Sequence, residues 1–133
     1  MTNETLELFQ PIRSHFASEK FVNPVLRINN IVKSVKTSTP RCQVTLLRVA
    51  VQYLKLENGD KVIIARIPST KGFCIAYVPI GDKVQGHTLC GQFKTLHFDS
   101  KPLLNKLDDG YYELGMAFRH APTDLTFYPL QKV

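Results

Sequence analysis

The sequence predicts a mainly β fold, α+β only at its N-terminus, in which a small antiparallel barrel or sandwich follows a helical arm. Short apolar runs recur through the second half with Pro or Gly at their joints. A chain of 133 residues with 44% hydrophobic composition can bury one core but is too short for two. Helical spacing without a competing strand pattern is confined to the N-terminus. The expected organisation is therefore one domain over 1–133, with residues 1–36 as the helical arm or first strand and 41–133 as the barrel.

The elements follow in chain order. Leu6, Phe9, Ile12 and Phe16 recur at helical spacing over Glu4 to Phe16, and Pro11 interrupts them, so a short kinked helix is expected. Val25 to Val35 fits a helix through Val25, Ile28, Val32 and Val35. It fits a strand equally well through its β-branched content, with Asn29-Asn30 as a turn signal.

Arg41 to Leu56 carries the same conflict. Arg41, Thr45, Arg48, Gln52 and Lys55 have helical spacing, while Leu47, Val49, Val51 and Tyr53 alternate like a strand. The strand is preferred because Asn58-Gly59 then supplies a type I′ hairpin turn into Lys61–Ile67. Pro68 closes that strand, Ser69 to Gly72 turns, and Phe73 to Ile80 forms the next strand, ended by Gly81-Asp82. His87 to Phe98 reads as one alternating strand and Lys101 to Leu107 as a helical turn. Tyr111 to Arg119 and Leu125 to Leu130 read as strands separated by the turn Ala121 to Asp124.

Charge is the strongest functional signal. Net charge is +6, and from Lys20 to Leu56 there are seven cations and no carboxylate. Arg13 to Lys71 holds eleven basic and three acidic residues, whereas Gly72 to Val133 holds six of each. Such a field captures polyanions, so nucleic acid, an anionic membrane or an acidic protein surface becomes the expected partner. Single-stranded nucleic acid needs cations along its phosphates and exposed rings against its unpaired bases. Arg41, Arg48, Lys55, Arg66 and Lys71, interleaved with Tyr53, Phe73 and Tyr77, supply both. Against this stands the commoner fate of aromatic residues, which is to be core.

Other chemistry has less support. Cys42, Cys74 and Cys90 are odd in number and form no Cys-x-x-Cys pair, which argues against a disulfide framework and for a reducing, cytoplasmic setting. No basic, apolar leader opens the chain, and no stretch is long and apolar enough to span a membrane, so no membrane partner is expected. His87 and Cys90, with Cys74 and His97, could in principle ligate zinc, but strand alternation would point His87 and Cys90 to opposite faces. Cys90 reads as a buried thiol, and no metal or cofactor is expected. Asp108-Asp109 before Gly110 reads as a turn. No Gly-x-Ser-x-Gly, phosphate-cradling loop or His-Glu-x-x-His motif points to an enzyme.

Three pieces of the C-terminal half carry a family resemblance. These are Ser69-Thr70-Lys71-Gly72 at a hairpin mouth, Gly110-Tyr111-Tyr112-Glu113-Leu114 opening a late strand, and Asp124-Leu125-Thr126-Phe127 before Lys132. In them the chain resembles the single-stranded-DNA-binding proteins of filamentous phages, whose fold is an oligonucleotide-binding-type barrel. The likeness covers Lys61 to Val133, and Met1 to Asp60 has no counterpart. It implies that Lys71 sits on a DNA-binding hairpin, that Phe73 stands where a ring could stack, and that a homodimer coats single strands with low sequence specificity. The expected function is thus single-stranded DNA or RNA binding. The alternatives are a viral or phage factor that occupies an acidic surface of a host protein, and a small Cys/His-dependent enzyme.

Overall fold

The computed structural model describes residues 22–31, 39–91 and 94–133. The expected N-terminal helix lies outside them, as do Lys20, Lys33, Lys36 and Phe93.

The described chain is mainly β and forms a nearly closed antiparallel barrel, consistent with an oligonucleotide-binding type. Its strands are β1 (Val25–Ile31), β2 (Arg41–Leu46), β3 (Lys61–Ile67), β4 (Gly72–Val78), β5 (His87–Thr88), β6 (Leu96–Ser100), β7 (Gly110–Leu114), β8 (Phe118–His120) and β9 (Leu125–Lys132). One helix, α1 (Arg48–Tyr53), separates β2 from β3. Hydrogen bonding runs β5-β3-β4-β9-β7-β1-β2-β6, and β8 flanks the start of β9. The seam between β5 and β6 is closed by reciprocal backbone bonds between Cys90 and His97, 2.9 and 2.8 Å.

Alternation explains the barrel wall. In β2, Cys42, Val44 and Leu46 point inward while Arg41, Gln43 and Thr45 do not. Val62 and Ile64 of β3 and Ile75 of β4 join Leu26, Ile28, Leu96, Phe98 and Leu114 in one interior core. Each such aliphatic side chain contributes about 1.5–3 kcal/mol on burial. The opposite face of β4, Cys74, Ala76 and Val78, is also buried, in a second cluster with Leu125 and Phe127. Strand β4 is thus covered on both faces, which is why Phe73 to Val78 reads as a continuous apolar run rather than an alternating one.

Val25 to Val35, open between helix and strand, is strand over β1, its described part. Five expectations are corrected, and the first is Arg41 to Leu56, which is a strand followed by a helix. Leu46 is the last residue of β2 paired to β1, and the Leu47 carbonyl then accepts the Val51 N–H at 3.0 Å to open α1. Leu47, Ala50, Val51 and Leu54 form the apolar helical face, with Ala50 fully buried. Because α1 takes this segment, Asn58-Gly59 is not a type I′ hairpin. Only Gly59 has positive φ, and the turn Glu57–Asp60 docks on the β5–β6 connection through Gly59 N–H to Leu89 O and Asn58 Oδ1 from Gly91 N–H.

His87 to Phe98 is not one strand but β5 and β6. At Gly91 the chain passes so close to the Thr95 carbonyl that a Cβ would collide with it. Tyr111 to Arg119 likewise divides into β7 and β8 around Gly115, whose N–H bonds Pro129 O at 2.7 Å. Residues 101–107 form two successive turns rather than a helical turn, closed by Leu104 N–H to Lys101 O and Lys106 N–H to Leu103 O.

Antiparallel pairing sorts the described loops to one of two barrel ends. Helix α1, the end of β4 and the start of β9 meet at one end. The β3–β4 hairpin, the 101–109 segment and the C-terminus meet at the other.

Candidate nucleic-acid interface

At the end opposite α1, three lysines from separate segments line one cleft of about 300 Å³. Lys71 comes from the β3–β4 hairpin, Lys106 from the 101–109 segment and Lys132 from the end of β9. Phe73, Tyr112, Leu107 and Leu130 form the apolar wall. Asp108 is the one carboxylate in the lining. Arg66 stands directly across from Phe73 in the β3–β4 ladder, on the same face, and is exposed. Among the described residues the ion pairs are Arg41–Asp99 and Arg119–Asp124, so Arg66, Lys71, Lys106 and Lys132 remain uncompensated.

Each lysine is positioned by local structure. Lys71 has φ +59° in a turn closed by Thr70 N–H to Ile67 O, with the Thr70 hydroxyl accepting Gly72 N–H. Lys106 lies between two residues clamped by Asn30. The Asn30 amide donates to Leu107 O at 2.8 Å and to Asp109 Oδ1 at 2.7 Å, while its carbonyl oxygen accepts Asn105 N–H at 2.9 Å. Lys132 rests over Gly110, where an added Cβ would lie 3.3 Å from its Cε. Gly110 has φ +142°, a conformation that favours glycine, and the lysine stem passes over it. The Tyr112 hydroxyl donates to Asp108 O at 2.7 Å, fixing the rim. Burial, reinforced by Asp108, pushes the Tyr112 phenol up, so it stays a neutral donor.

The α1 end holds a second cleft, of about 270 Å³, lined by Tyr53, Tyr77 and Tyr128 with Lys55, Pro79, Asp124 and Thr126. Tyr53 meets Tyr128 edge to face at 5.7 Å, and Tyr53 and Tyr77 are 56% and 37% exposed. Burial, with Tyr53 alongside, also raises the Tyr128 phenol.

The eight residues singled out from sequence thus divide. Arg66, Lys71 and Phe73 gather at the lysine cleft, and Tyr53, Lys55 and Tyr77 at the tyrosine cleft. Phe73 is half-buried against the interior core. Arg41 lines neither cleft and is paired with Asp99 at 3.1 Å, and Arg48 opens α1 outside both. Lys106, Lys132, Tyr112 and Tyr128 were missed, since they lie in the half of the chain whose charges balance. The Asn30–Asp109 clamp was missed as well, because both residues read as turn formers.

The zinc site does not assemble. Among the described residues no group of three His, Cys, Asp or Glu side chains could hold a metal ion. His87 instead stacks on Phe98 with centroids 4.6 Å apart, and burial lowers its pKa. Cys90 is exposed, not buried, because it follows the end of β5 in the bridge that closes the seam, while its neighbour Leu89 turns inward. Burial, with Asp109 and Asp99 nearby, pushes the Cys42 thiol up to about 11, which makes it a poor nucleophile. Among the described residues no helix is long and apolar enough to cross a membrane.

No family model matches the chain, and comparisons with curated proteins and with solved structures return no similar protein.

Proposed function

We propose that this protein binds single-stranded nucleic acid, DNA or RNA, with low sequence specificity, and that the lysine cleft is where it holds the phosphates. The observation that carries the reading is the convergence of Lys71, Lys106 and Lys132, from three segments far apart in sequence, on one cleft with a single carboxylate. Arg66 adds a fourth cation on the same face. Lysines placed only for solubility have no reason to gather from three segments around one cleft, one of them in a segment fixed by Asn30 and another over Gly110. Cations fixed at the mouth of a barrel suit a flexible polyanion, because they neutralise successive phosphates and release counterions. Resemblance to the phage single-stranded-DNA-binding proteins points the same way. It adds the proposals of a homodimer and a viral source, and the unpaired cysteines add that of a cytoplasmic location.

The test is anisotropy of a labelled single-stranded oligonucleotide across a salt series. Affinity should fall steeply with salt, and each of the alanine replacements of Lys71, Lys106 and Lys132 should flatten the log–log slope by about 0.7. Reversing all three to glutamate should abolish retention of DNA and RNA alike. Retention by the reversed variant, or binding indifferent to salt and to oligonucleotide length, overturns the reading and directs attention to an acidic protein partner instead.

A further inference from the structure

The tyrosine cleft lies at the opposite end of strand β4 from the lysine cleft. Phe73 borders one and Tyr77 the other, on the same face of the strand, with the fully buried Ile75 between them. Four residues of strand separate them, about 13 Å. Two features of this second cleft call for a ligand. The first is the grouping of three tyrosines from α1, β4 and β9, two of them with large exposed ring area.

The second is the placement of Lys55 beside those rings. Helix α1 ends in a two-bond motif in which Leu56 N–H reaches Val51 O at 3.0 Å and Lys55 N–H reaches Gln52 O at 3.2 Å. This closure puts Lys55 in the left-handed region, φ +55°, the position that glycine occupies most cheaply. The closure itself accounts for that backbone, and it carries Lys55 into the lining of the cleft. Lys71 repeats the pattern at the other cleft with φ +59°.

The chemistry of the lining selects the guest. Three rings beside a carboxylate could cage an organic ammonium. Here, however, Asp124 is engaged by Arg119, while Lys55 lines the same cleft with no ion-pair partner among the described residues. A cationic guest would meet an uncompensated positive charge. A planar base attached to a phosphate meets ring faces and a cation together.

We propose that the Tyr53–Tyr77–Tyr128 cleft is a base-stacking subsite, with Lys55 holding the adjoining phosphate of the strand anchored at the lysine cleft. This rests on the single-strand reading above and deepens it. One barrel then touches a strand twice, backbone at one end and bases at the other, within the roughly 4–16 nucleotides that such barrels occupy.

Two oligomers separate the contributions: a thymidine chain of about sixteen residues and an abasic deoxyribose-phosphate chain of equal length. Tyrosine fluorescence adds a direct readout, because the chain has no Trp and three of its five Tyr line this cleft. The thymidine chain should bind about tenfold tighter than the abasic one and quench the tyrosine emission, whereas the abasic chain should not quench. Tyr77→Thr, which suits a strand, and Tyr53→Ala, which suits a helix end, should each remove most of that preference and quench while leaving abasic binding unchanged. Tyr53→Phe and Tyr77→Phe should keep the preference, since the ring remains. Ala and Thr variants that retain the full base preference overturn the subsite. Undiminished abasic binding by the lysine-reversed protein overturns instead the reading on which it rests.

Discussion

The two ends of the barrel are made by the same strands yet present different chemistry. One gathers uncompensated ammonium groups around a shallow apolar wall, and the other gathers phenol rings around a single lysine. They also differ in how their groups are held. The lysine end depends on hydrogen bonds across the sequence, from Asn30 to residues 105–109 and from Tyr112 to Asp108. The tyrosine end depends on packing, with Tyr128 against the interior core and Tyr53 against Tyr128. The difference teaches that phosphate holding and base reading are separable here, because each end can be disturbed without the wall between them. That wall, with Leu26, Val44, Val62 and Ile75 at its centre, is common to both.

The largest effect should come from removing the clamp. Asn30→Ala deletes three side-chain hydrogen bonds to the 105–109 segment, which at about 1 kcal/mol each net, partly screened at this half-buried site, costs about 2 kcal/mol. The midpoint of urea unfolding should fall accordingly. Abasic-chain affinity should fall too, because Lys106 is no longer held toward Lys71 and Lys132. The fluorescence quench produced by saturating thymidine chains should persist. If Asn30→Ala instead spared abasic binding and erased the quench, the assignment of charge to one end and stacking to the other would be reversed.

What the sequence made legible follows from the range of the forces involved. Apolar runs and turn chemistry are local, so β3, β4 and the turns at Pro68–Lys71 and Ala121–Asp124 could be read directly. Helix α1 was obscured because Val49, Val51 and Tyr53 have strand character, while the deciding contact is the burial of Ala50 against the rest of the core. The candidate site was half legible for a related reason. Counting charge along the chain finds where cations are dense, but antiparallel pairing decides which of them meet. Lys55 and Lys71, sixteen positions apart, go to opposite ends, while Lys71 and Lys132 share a cleft. The balanced charge of the second half concealed Lys106 and Lys132, although of the carboxylates that balance them in the count only Asp108 lines their cleft. Asp99 pairs with Arg41, Asp124 with Arg119, and Asp109 accepts from Asn30.

A smaller effect, of opposite sign on stability and affinity, is expected at the tyrosine end. Lys55→Gly relieves a left-handed lysine at the helix terminus, a conformation that costs a residue with a side chain about 1 kcal/mol. The free energy of unfolding should rise by about that amount, and the urea midpoint with it. Affinity for thymidine chains should drop a few-fold with the quench retained, because the rings stay while one phosphate contact goes. Lys55→Asn, which tolerates the same backbone, should behave likewise. A loss of stability in the glycine variant would show that the lysine stem packs on the rings, and would make the tyrosine end a structural rather than a binding feature.

The smallest effect should be at Arg41, and it is informative for that reason. Its guanidinium is 26% exposed and bonded to an Asp99 carboxylate that is 45% exposed, a pair worth at most about 1 kcal/mol in water and less with salt. Arg41→Ala should therefore lower stability by about 0.5 kcal/mol and leave single-strand affinity and its salt slope as they were, although Arg41 lies in the most cationic stretch of the chain. An affinity loss comparable to that of Lys71→Ala would mean that binding follows the overall positive field rather than the cleft. The two ends would then cease to be distinct sites, and the clamp at Asn30 would be a matter of folding alone.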